Sequence, residues 1–432
     1  MIHNEKFEKM PRRELEQLQT ERLQSTLNRV YRNVEFYRKK FDECKIDIEK
    51  ITAIDDIKNL PFTTKEDLRN SYPYGMFAVP LRDIVRIHSS SGRTGKPIAI
   101  GYTRNDLKNW SEIVARLLVA VGITEQDFLQ IAFDYSMFTG AFGIHYGAES
   151  LGASVIPSSS TRKIGDQIMI MRDYKTSALL STPSYAIDIA NNLKEMNIHP
   201  EELNLRLGIF GAEAWSEKIR AGIEEKLHIS AFNHYGINEL VGPGTSGECR
   251  EKNGLHINED HFIVEVIDPH TLQPVSPGGE GELVFTTITR EGFPLIRYRT
   301  GDLSSLIDGP CACGRTFVRM NRVAARTDDL IVIKGINVFP AQIEEVLLRS
   351  EGVAPHFQII IENEDGIDTM EILIEVSDSL FNDEIKRLME MKSRMSKMLL
   401  ADIGIAARIT LVEQETFRKT SGGKPYVVID RR

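Results

Sequence analysis

Residues 89–97 read SSSGRTGKP, and the pattern around this stretch decides the fold that we predict. Apolar, strand-like runs at residues 84–87 and 98–100 lead into it and out of it. Glycines let a backbone bend until several N–H groups converge, and hydroxyls and a lysine add further donors. We therefore expect a loop that holds phosphate oxygens, most readily those of a nucleoside triphosphate. The residues of this predicted loop are Ser89, Ser90, Ser91, Gly92, Arg93, Thr94, Gly95 and Lys96.

The stretch differs from a Walker-type P-loop. Its two glycines are only three positions apart, and Pro97 follows the lysine where that motif has Ser or Thr. Proline also prevents the helix that normally starts there. A flexible surface loop between two strands is the other interpretation that the stretch by itself allows.

Bulk properties restrict the class of protein. A chain of 432 residues is too long for one hydrophobic core, so we expect at least two domains. The net charge of −9 argues against nucleic acid as the main partner. No apolar run has membrane-spanning length, and the first residues lack the apolar core of a secretory signal. Four cysteines are too few for a disulfide scaffold of this size, which suits the cytoplasm.

Strand and helix patterns alternate from the glycine-rich loop to about residue 240, which predicts a mostly parallel sheet with helices on both faces. After about residue 250, short β-rich runs separated by turns predict an antiparallel section. We therefore predict an α/β fold with a large domain at residues 1–327 and a small, mobile α+β domain at residues 328–432. Ligands of such sheets bind at the carboxyl ends of strands, which here are followed by loops 134–140, 211–215 and 235–244.

Three cysteines and one histidine have the spacing of a metal site. The pattern is Cys-x6-His followed by Cys-x-Cys, and four ligands of this kind suit tetrahedral Zn²⁺. All four coordination positions would be filled, so the predicted role is structural. Buried thiols beside an unconnected histidine are the alternative. The residues are Cys249, His256, Cys311 and Cys313.

The sequence resembles the phenylacetate–coenzyme A ligase family of the adenylate-forming, or acyl-CoA synthetase, superfamily. The resemblance runs from about residue 62 to about residue 430, and nine blocks occur in the order that the family has. They are SSGRTGKP (90–97), FTG (138–140), HYGAE (145–149), GAEAW (211–215), YGINE (235–239), RYRTGD (297–302), RTDD (326–329), GINVFP (335–340) and GK (423–424).

The resemblance implies a reaction in two steps. An aromatic carboxylic acid attacks ATP to give an acyl-adenylate and pyrophosphate, and coenzyme A then displaces AMP to give a thioester. The family also implies Mg²⁺ as a cofactor, small-molecule substrates rather than nucleic acid or membrane partners, and a homodimer.

The resemblance also assigns roles to individual residues. Tyr235 would stack on adenine, Asp302 would bind both ribose hydroxyls, and Glu239 would hold Mg²⁺. Lys424 would be the catalytic cation, since a mobile ammonium near the α-phosphate stabilises the charge that develops there. Asp328 would be the hinge of the small domain. Further nucleotide or coenzyme A positions are Gly211, Ala212, Glu213, Gly236, Ile237, Asn238, Arg326 and Gly335.

The acid would lie beside the loop that follows the strand at residues 127–133. Small residues and flat apolar ones suit an aryl ring there, and phenylacetate is the substrate that the family implies. Asp134 and Ser136 depart from the small residues usual in the family, and they would narrow the pocket or favour a ring with a polar group. The predicted walls are Tyr135, Phe138, Gly211, Ala212, Ile237 and Pro243.

Two other functions compete with this one. An adenylating enzyme could pass its acyl group to a carrier-protein thiol or to a cofactor hydroxyl, and its first step would be identical. A non-catalytic module that binds nucleotide and zinc would lack Lys424, Glu239 or Asp302, yet all three residues are present.

Overall fold

The computed structural model describes residues 1–90, 96–137, 139–327, 331–333, 336–350, 353–364, 367–376, 385–413, 416–417 and 426–431. The chain divides into two compact units, one of residues 1–212 and 218–322, the other of residues 213–217 and 323–432. The predicted boundary at residue 328 stays a prediction, because residues 328–330 lie outside these ranges.

A long mixed sheet organises the first unit. Five neighbouring strands are parallel, in the order β4-β3-β5-β6-β7, and the described residues continue the sheet with the antiparallel strands β8, β9, β14 and β13. The central strands β5 and β6 are short, largely apolar and wholly buried, as expected for strands covered on both faces. The strands are β3 Phe128–Ile131, β4 Ser154–Ile156, β5 Ala178–Ser181, β6 Leu207–Phe210, β7 Ser230–Tyr235, β8 Ser246–Glu248, β9 Leu255–Ile257, β13 Leu306–Ile307 and β14 Arg319–Met320.

Helices connect the parallel strands and precede them. Short 3₁₀ turns lie at Ile48–Lys50, Ile54–Asn59, Leu81–Asp83 and Pro200–Glu202. These helices are α1 Glu5–Glu8, α2 Arg12–Asn33, α3 Glu35–Glu43, α4 Lys65–Asn70, α5 Arg104–Val121, α6 Gly140–Leu151, α7 Ile164–Asp173, α8 Pro183–Glu195 and α9 Glu217–Leu227.

Helices α5 and α6 pack closely because α6 carries glycines where the two meet. A Cβ on Gly143 would lie 2.4 Å from the Trp110 ring, and one on Gly147 would lie 2.4 Å from Val114. At its amino end α5 is capped by Thr103, whose hydroxyl accepts from the N–H of Asp106. This packing fixes the amino end of α6, where the loop that follows β3 ends.

Two antiparallel elements complete the first unit. Strands β1 Arg86–Ser89 and β2 Ala99–Tyr102 form a ribbon around the glycine-rich stretch. Strands β10 Phe262–Ile267, β11 Gly281–Thr287 and β12 Tyr298–Ser304 form a meander, as the turns at residues 268–280 predict.

The second unit is a small α+β body with its own apolar core. Strands β18 and β19 form a long antiparallel pair, flanked by β20 and β21 in parallel register. Helices α10 and α11 contribute Ile343, Val346, Met395 and Leu399 to the core. The elements are β15 Ala325–Arg326, β16 Ile331–Ile333, β17 Ile336–Val338, α10 Pro340–Leu347, β18 Val353–Glu364, β19 Ile367–Val376, α11 Ile385–Ile403, β20 Arg408–Val412 and β21 Tyr426–Asp430.

The predicted α/β fold is confirmed, with its parallel sheet, flanking helices, β-rich section and separate α+β body. The apolar spacing from Leu15 to Phe41 indicates one long helical pattern, but the structure divides it into two helices at Val34, whose backbone is extended. Within the described ranges, no helix combines the length and the apolar character that crossing a membrane needs.

Candidate active site

The carboxyl end of β7 brings the predicted adenine residue against the predicted ribose residue. The hydroxyl of Tyr235 donates to Oδ2 of Asp302 over 2.7 Å, although the two residues are 67 positions apart in the chain. The Tyr235 ring also stacks on Phe285 of β11, with centroids 6.2 Å apart. A carboxylate can accept several hydrogen bonds at once, so Asp302 can hold a tyrosine and a vicinal diol together.

The loop that follows β7 is joined to the amino end of α6. Oδ1 of Asn238 accepts hydrogen bonds from both the hydroxyl and the backbone N–H of Thr139. These two donors orient the amide, because only its oxygen can accept them, and they leave its NH₂ group on the opposite side. Glu239, the predicted Mg²⁺ ligand, comes next in this loop and is 7% exposed.

Gly236 permits the tight course of the same loop. A Cβ at this position would lie 1.7 Å from the carbonyl oxygen of Gly242. The N–H of Gly242 in turn donates to the carbonyl of Ile237 over 2.8 Å. The loop therefore folds back on itself so closely that no side chain fits, and this closure sets the positions of Asn238 and Glu239.

The two ends of the predicted phosphate loop are held together. Ser90 and Ile98 exchange two hydrogen bonds, one from the Ser90 N–H to the Ile98 carbonyl at 3.1 Å and one from the Ile98 N–H to the Ser90 hydroxyl at 2.9 Å. The N–H of Ser89 donates to the carbonyl of Met137, which ties the predicted phosphate loop to the loop that follows β3. Lys96 is exposed. The remaining predicted residues, Ser91, Gly92, Arg93, Thr94 and Gly95, lie outside the described residues.

Tyr135, a predicted wall of the acid pocket, is held by a chain of polar contacts. Its hydroxyl lies 3.1 Å from Nδ1 of His145, whose Nε2 lies 3.1 Å from a carboxylate oxygen of Glu149. Burial, and then the charge of Glu149, raise the pKa of the Tyr135 hydroxyl, so it stays a donor. The Glu149 carboxylate favours the proton on Nε2, which leaves Nδ1 as the acceptor for Tyr135.

The other predicted walls come from the ends of β6 and β7. Gly211 is buried and Ala212 is exposed, with a left-handed φ of 65° that is unusual for a residue with a side chain. Ile237 is half-buried, and the carbonyl of Pro243 accepts a hydrogen bond from the Trp110 indole over 3.0 Å. Phe138 lies outside the described residues.

The four predicted metal ligands lie together at the antiparallel end of the large sheet. All four ligand atoms are within 4.8 Å of one another. The sulfurs of Cys249 and Cys311 are 3.7 Å apart, and that of Cys313 is 3.4 Å from Nε2 of His256. The hydrogen bond from Cys249, and then the one from His256, lower the pKa of the Cys313 thiol. The hydrogen bond between Cys249 and Cys313 raises the pKa of the Cys249 thiol.

Known proteins match this chain along its whole length. The family model "AMP-binding enzyme" matches residues 20–289, and "AMP-binding enzyme C-terminal domain" matches residues 335–432. The phenylacetate-coenzyme A ligase of Thermus thermophilus is 42% identical over 447 residues, which cover 100% of both chains. That of Escherichia coli is 40% identical, over 97% of this chain and 95% of its own. The chain belongs to the phenylacetate–coenzyme A ligase family.

Solved structures agree with membership of this ligase family. A 2-hydroxyisobutyryl-CoA ligase in the postadenylation state, in complex with R3-HIB-AMP, matches with a TM-score of 0.89 and 25% identity, over 99% of this chain and 92% of its own. The same ligase in complex with 2-HIB-AMP and CoA in the thioesterification state matches with a TM-score of 0.73 and 26% identity, over the same shares.

Some residues that the family implies fall in the second unit. Glu213 and Arg326 are both half-buried there. Lys424, Gly335 and Asp328 lie outside the described residues, so their roles stay predictions.

Three residues of the site were not predicted from the sequence. Thr139 and His145 lie within the sequence blocks that the family shares. No sequence pattern connects Thr139 with Asn238, or His145 with Tyr135, because each contact joins two different elements. The third residue, His234, is a buried histidine in β7, next to Tyr235. Because the same strand also carries Ser230 and Asn233, the histidine does not stand out in the sequence.

Proposed function

We propose that this chain is an AMP-forming ligase that activates an aromatic carboxylic acid with ATP and transfers the acyl group to coenzyme A. The chain matches a phenylacetate-coenzyme A ligase over its full length, and one observation in the structure supports the proposal most directly. The hydroxyl of Tyr235 donates to the buried carboxylate of Asp302 over 2.7 Å, at the carboxyl end of a parallel strand. This is where an α/β sheet binds its ligand.

The reaction has two balanced steps. A carboxylate oxygen of the acid attacks the α-phosphorus of ATP, and pyrophosphate leaves with the electrons of the broken P–O bond. The thiolate sulfur of coenzyme A then attacks the acyl carbon, and AMP leaves. The products are acyl-CoA, AMP and pyrophosphate.

The described residues would hold the nucleotide at three places. The Tyr235 ring would stack on adenine, and Asp302 would accept both ribose hydroxyls. The NH₂ group of Asn238, which faces away from Thr139, would donate to an oxygen of the α-phosphate. The glycine-rich loop, which Ser90 and Ile98 close at its base, would hold the outer phosphates.

Glu239 fits a Mg²⁺ ion, because a largely buried carboxylate is a hard oxygen ligand and the loop that carries it is fixed. Bound there, the ion would neutralise charge on the phosphate oxygens. Lys424 would supply the catalytic positive charge at the α-phosphate in the first step. We further propose that Asp328 is the hinge that moves Lys424 away, so that the pantetheine arm can pass Gly335 in the second step.

The acid would lie between the loop after β3 and the ends of β6 and β7. Tyr135 is held at this place by His145, and Gly211 is buried at the end of β6. We propose an arylacetic acid, with phenylacetate as the reference compound, since Thermus thermophilus and Escherichia coli relatives are named as ligases of this acid.

The cysteine–histidine cluster fits a structural Zn²⁺ ion. A tetrahedron with Zn–S bonds of about 2.3 Å has sulfurs about 3.8 Å apart, close to the 3.7 Å between Cys249 and Cys311. A disulfide would need about 2.05 Å, and both thiols are free. With four protein ligands the ion has no open position, so it would join the loop after β13 to β8 and β9 without taking part in the reaction.

The test is a panel of arylacetic, benzoic and short aliphatic acids, scored by AMP release with and without coenzyme A. We expect release to accelerate with coenzyme A, and thioester to form, for an arylacetic acid. Adenylate without thioester would contradict the proposed acceptor and favour a carrier-protein thiol. Absence of adenylation with every acid would refute the proposed function.

A lysine variant tests the proposed catalytic cation. Lys424→Ala is expected to slow adenylation about 10²- to 10³-fold, the usual loss when one preorganised charge or donor is removed from a transition state. Lys194→Ala changes an exposed lysine at the end of α8 and is the matched control, with unchanged activity. Full adenylation by Lys424→Ala would support the non-catalytic module instead.

A further inference from the structure

His234 is the buried polar residue that the proposed mechanism leaves unused. It is 6% exposed, and neither Nδ1 nor Nε2 has a hydrogen-bond partner among the described residues. Burial also lowers its pKa to about 4, so the ring is neutral near pH 7 and presents one N–H donor and one acceptor nitrogen. Leaving a buried donor or acceptor unsatisfied is costly, so buried polar groups in native proteins almost always have a partner.

The position of His234 connects it to the proposed acid pocket. It is the last-but-one residue of β7, so its side chain lies on the opposite face of the sheet from that of Tyr235. Its ring occupies the space beside Gly211, where a Cβ would lie 2.5 Å from Nε2. The ring of Phe133, at the end of β3, stands edge-on to it with centroids 6.2 Å apart.

The two groups beside the His234 ring offer it no hydrogen bond. Phe133 presents an apolar ring, and Gly211 presents a position without a side chain. An apolar residue would suit this place better if packing were its only requirement. Phe133 begins the loop after β3, and Gly211 lies at the end of β6, and both places are proposed to line the acid pocket. A polar group carried by the bound acid is therefore the partner that this arrangement lacks.

We propose that His234 binds a hydroxyl group of the acid, so that the enzyme prefers a hydroxylated arylacetic acid to the unsubstituted one. A hydroxyl both donates and accepts, so it satisfies a neutral imidazole in either tautomer. A second carboxylate on the acid would fit this place poorly, because the neutral His234 ring carries no positive charge to stabilise another buried negative charge. The inference rests on the proposed function and specifies its substrate class.

The test compares phenylacetate with its 2-, 3- and 4-hydroxy derivatives by kcat/KM for pyrophosphate release, with ATP and coenzyme A saturating. For the wild-type protein we expect at least one hydroxy acid to exceed phenylacetate by about 10-fold or more, since the unsubstituted acid leaves the imidazole unpaired. His234→Leu is expected to reduce this ratio to about 3-fold or less. His234→Gln, which keeps a donor and an acceptor, is expected to retain part of it.

A control and three outcomes complete the test. His228→Leu alters an exposed histidine before the amino end of the same strand, and we expect it to leave the ratio unchanged. A wild-type protein that uses phenylacetate as well as every hydroxy acid would overturn the inference by itself, whether or not the variants fold. If His234→Leu lowered kcat/KM equally for all of the acids, the ring would have only a packing role, and the inference would also be overturned. Failure of wild-type protein to release pyrophosphate with any of these acids, together with failure across the wider panel, would instead refute the proposed function.

Discussion

The turn that carries the central residues of the site has no room for a side chain at Gly236. In Gly236→Ala, the added Cβ would lie 1.7 Å from the Gly242 carbonyl oxygen and 2.4 Å from the carbonyl carbon, while ordinary van der Waals contact begins at 3.4 Å. The backbone at residues 236 and 242 must therefore separate by about 1.7 Å, since neither contact atom belongs to a flexible side chain. We expect this overpacking to cost about 1–3 kcal/mol in the free energy of unfolding.

The effect on activity should exceed the effect on stability. The displaced loop carries Asn238 and Glu239, and a displacement of about 1 Å in an active site can cost about 100-fold in rate. We therefore expect Gly236→Ala to lose about 100-fold or more in kcat/KM for adenylation, with cooperative unfolding preserved. Pyrophosphate release and urea denaturation measure the two quantities.

Gly222→Ala is the matched control. Gly222 lies within α9, and nothing lies within 4 Å of the position that its Cβ would take. Because alanine is the better helix former, this variant should gain about 0.5–1 kcal/mol in stability at unchanged activity. A Gly236→Ala protein within 3-fold of the wild-type activity would refute the argument that this close approach positions the site.

Three further predictions concern other groups. Asp302→Ala should weaken AMP binding about 100-fold or more by calorimetry, because two hydrogen bonds to a charged group are lost, and a change below 5-fold would contradict the ribose assignment. The folded pKa of about 4 for His234 lies below the unfolded value of about 6.5, so the unfolded state binds more protons between these values. This group should therefore lower the wild-type free energy of unfolding by about 2–3 kcal/mol between pH 7 and pH 4.5. In His234→Leu the decrease over the same pH range should be smaller by that amount. An equal decrease in the two proteins would refute the lowered pKa of His234. Cys311→Ser should lose bound zinc and have a lower Tm. Cys44→Ser, which changes an exposed cysteine outside the cluster, should keep one equivalent of zinc. Less than half an equivalent of zinc in wild-type protein purified without chelator would count against the site.

The sequence by itself determined the elements and their class. The apolar periodicity of residues 104–121 and the glycine at 122 indicate the helix that the structure shows, because helix pattern and capping are local properties. The alternation of strands and helices predicted the parallel sheet for the same reason. The spacing of Cys249, His256, Cys311 and Cys313 also predicted a cluster, since few other arrangements bring that residue set together.

Only the tertiary structure decided which side chains meet. The hydrogen bond from Tyr235 to Asp302 joins two different sheets, and the one from Thr139 to Asn238 joins a helix end to a distant loop, so no local pattern could specify them. The same is true of His234, whose lack of a partner depends on everything that surrounds it in space. Propensity and capping act over a few residues, whereas burial and pairing depend on how distant segments pack.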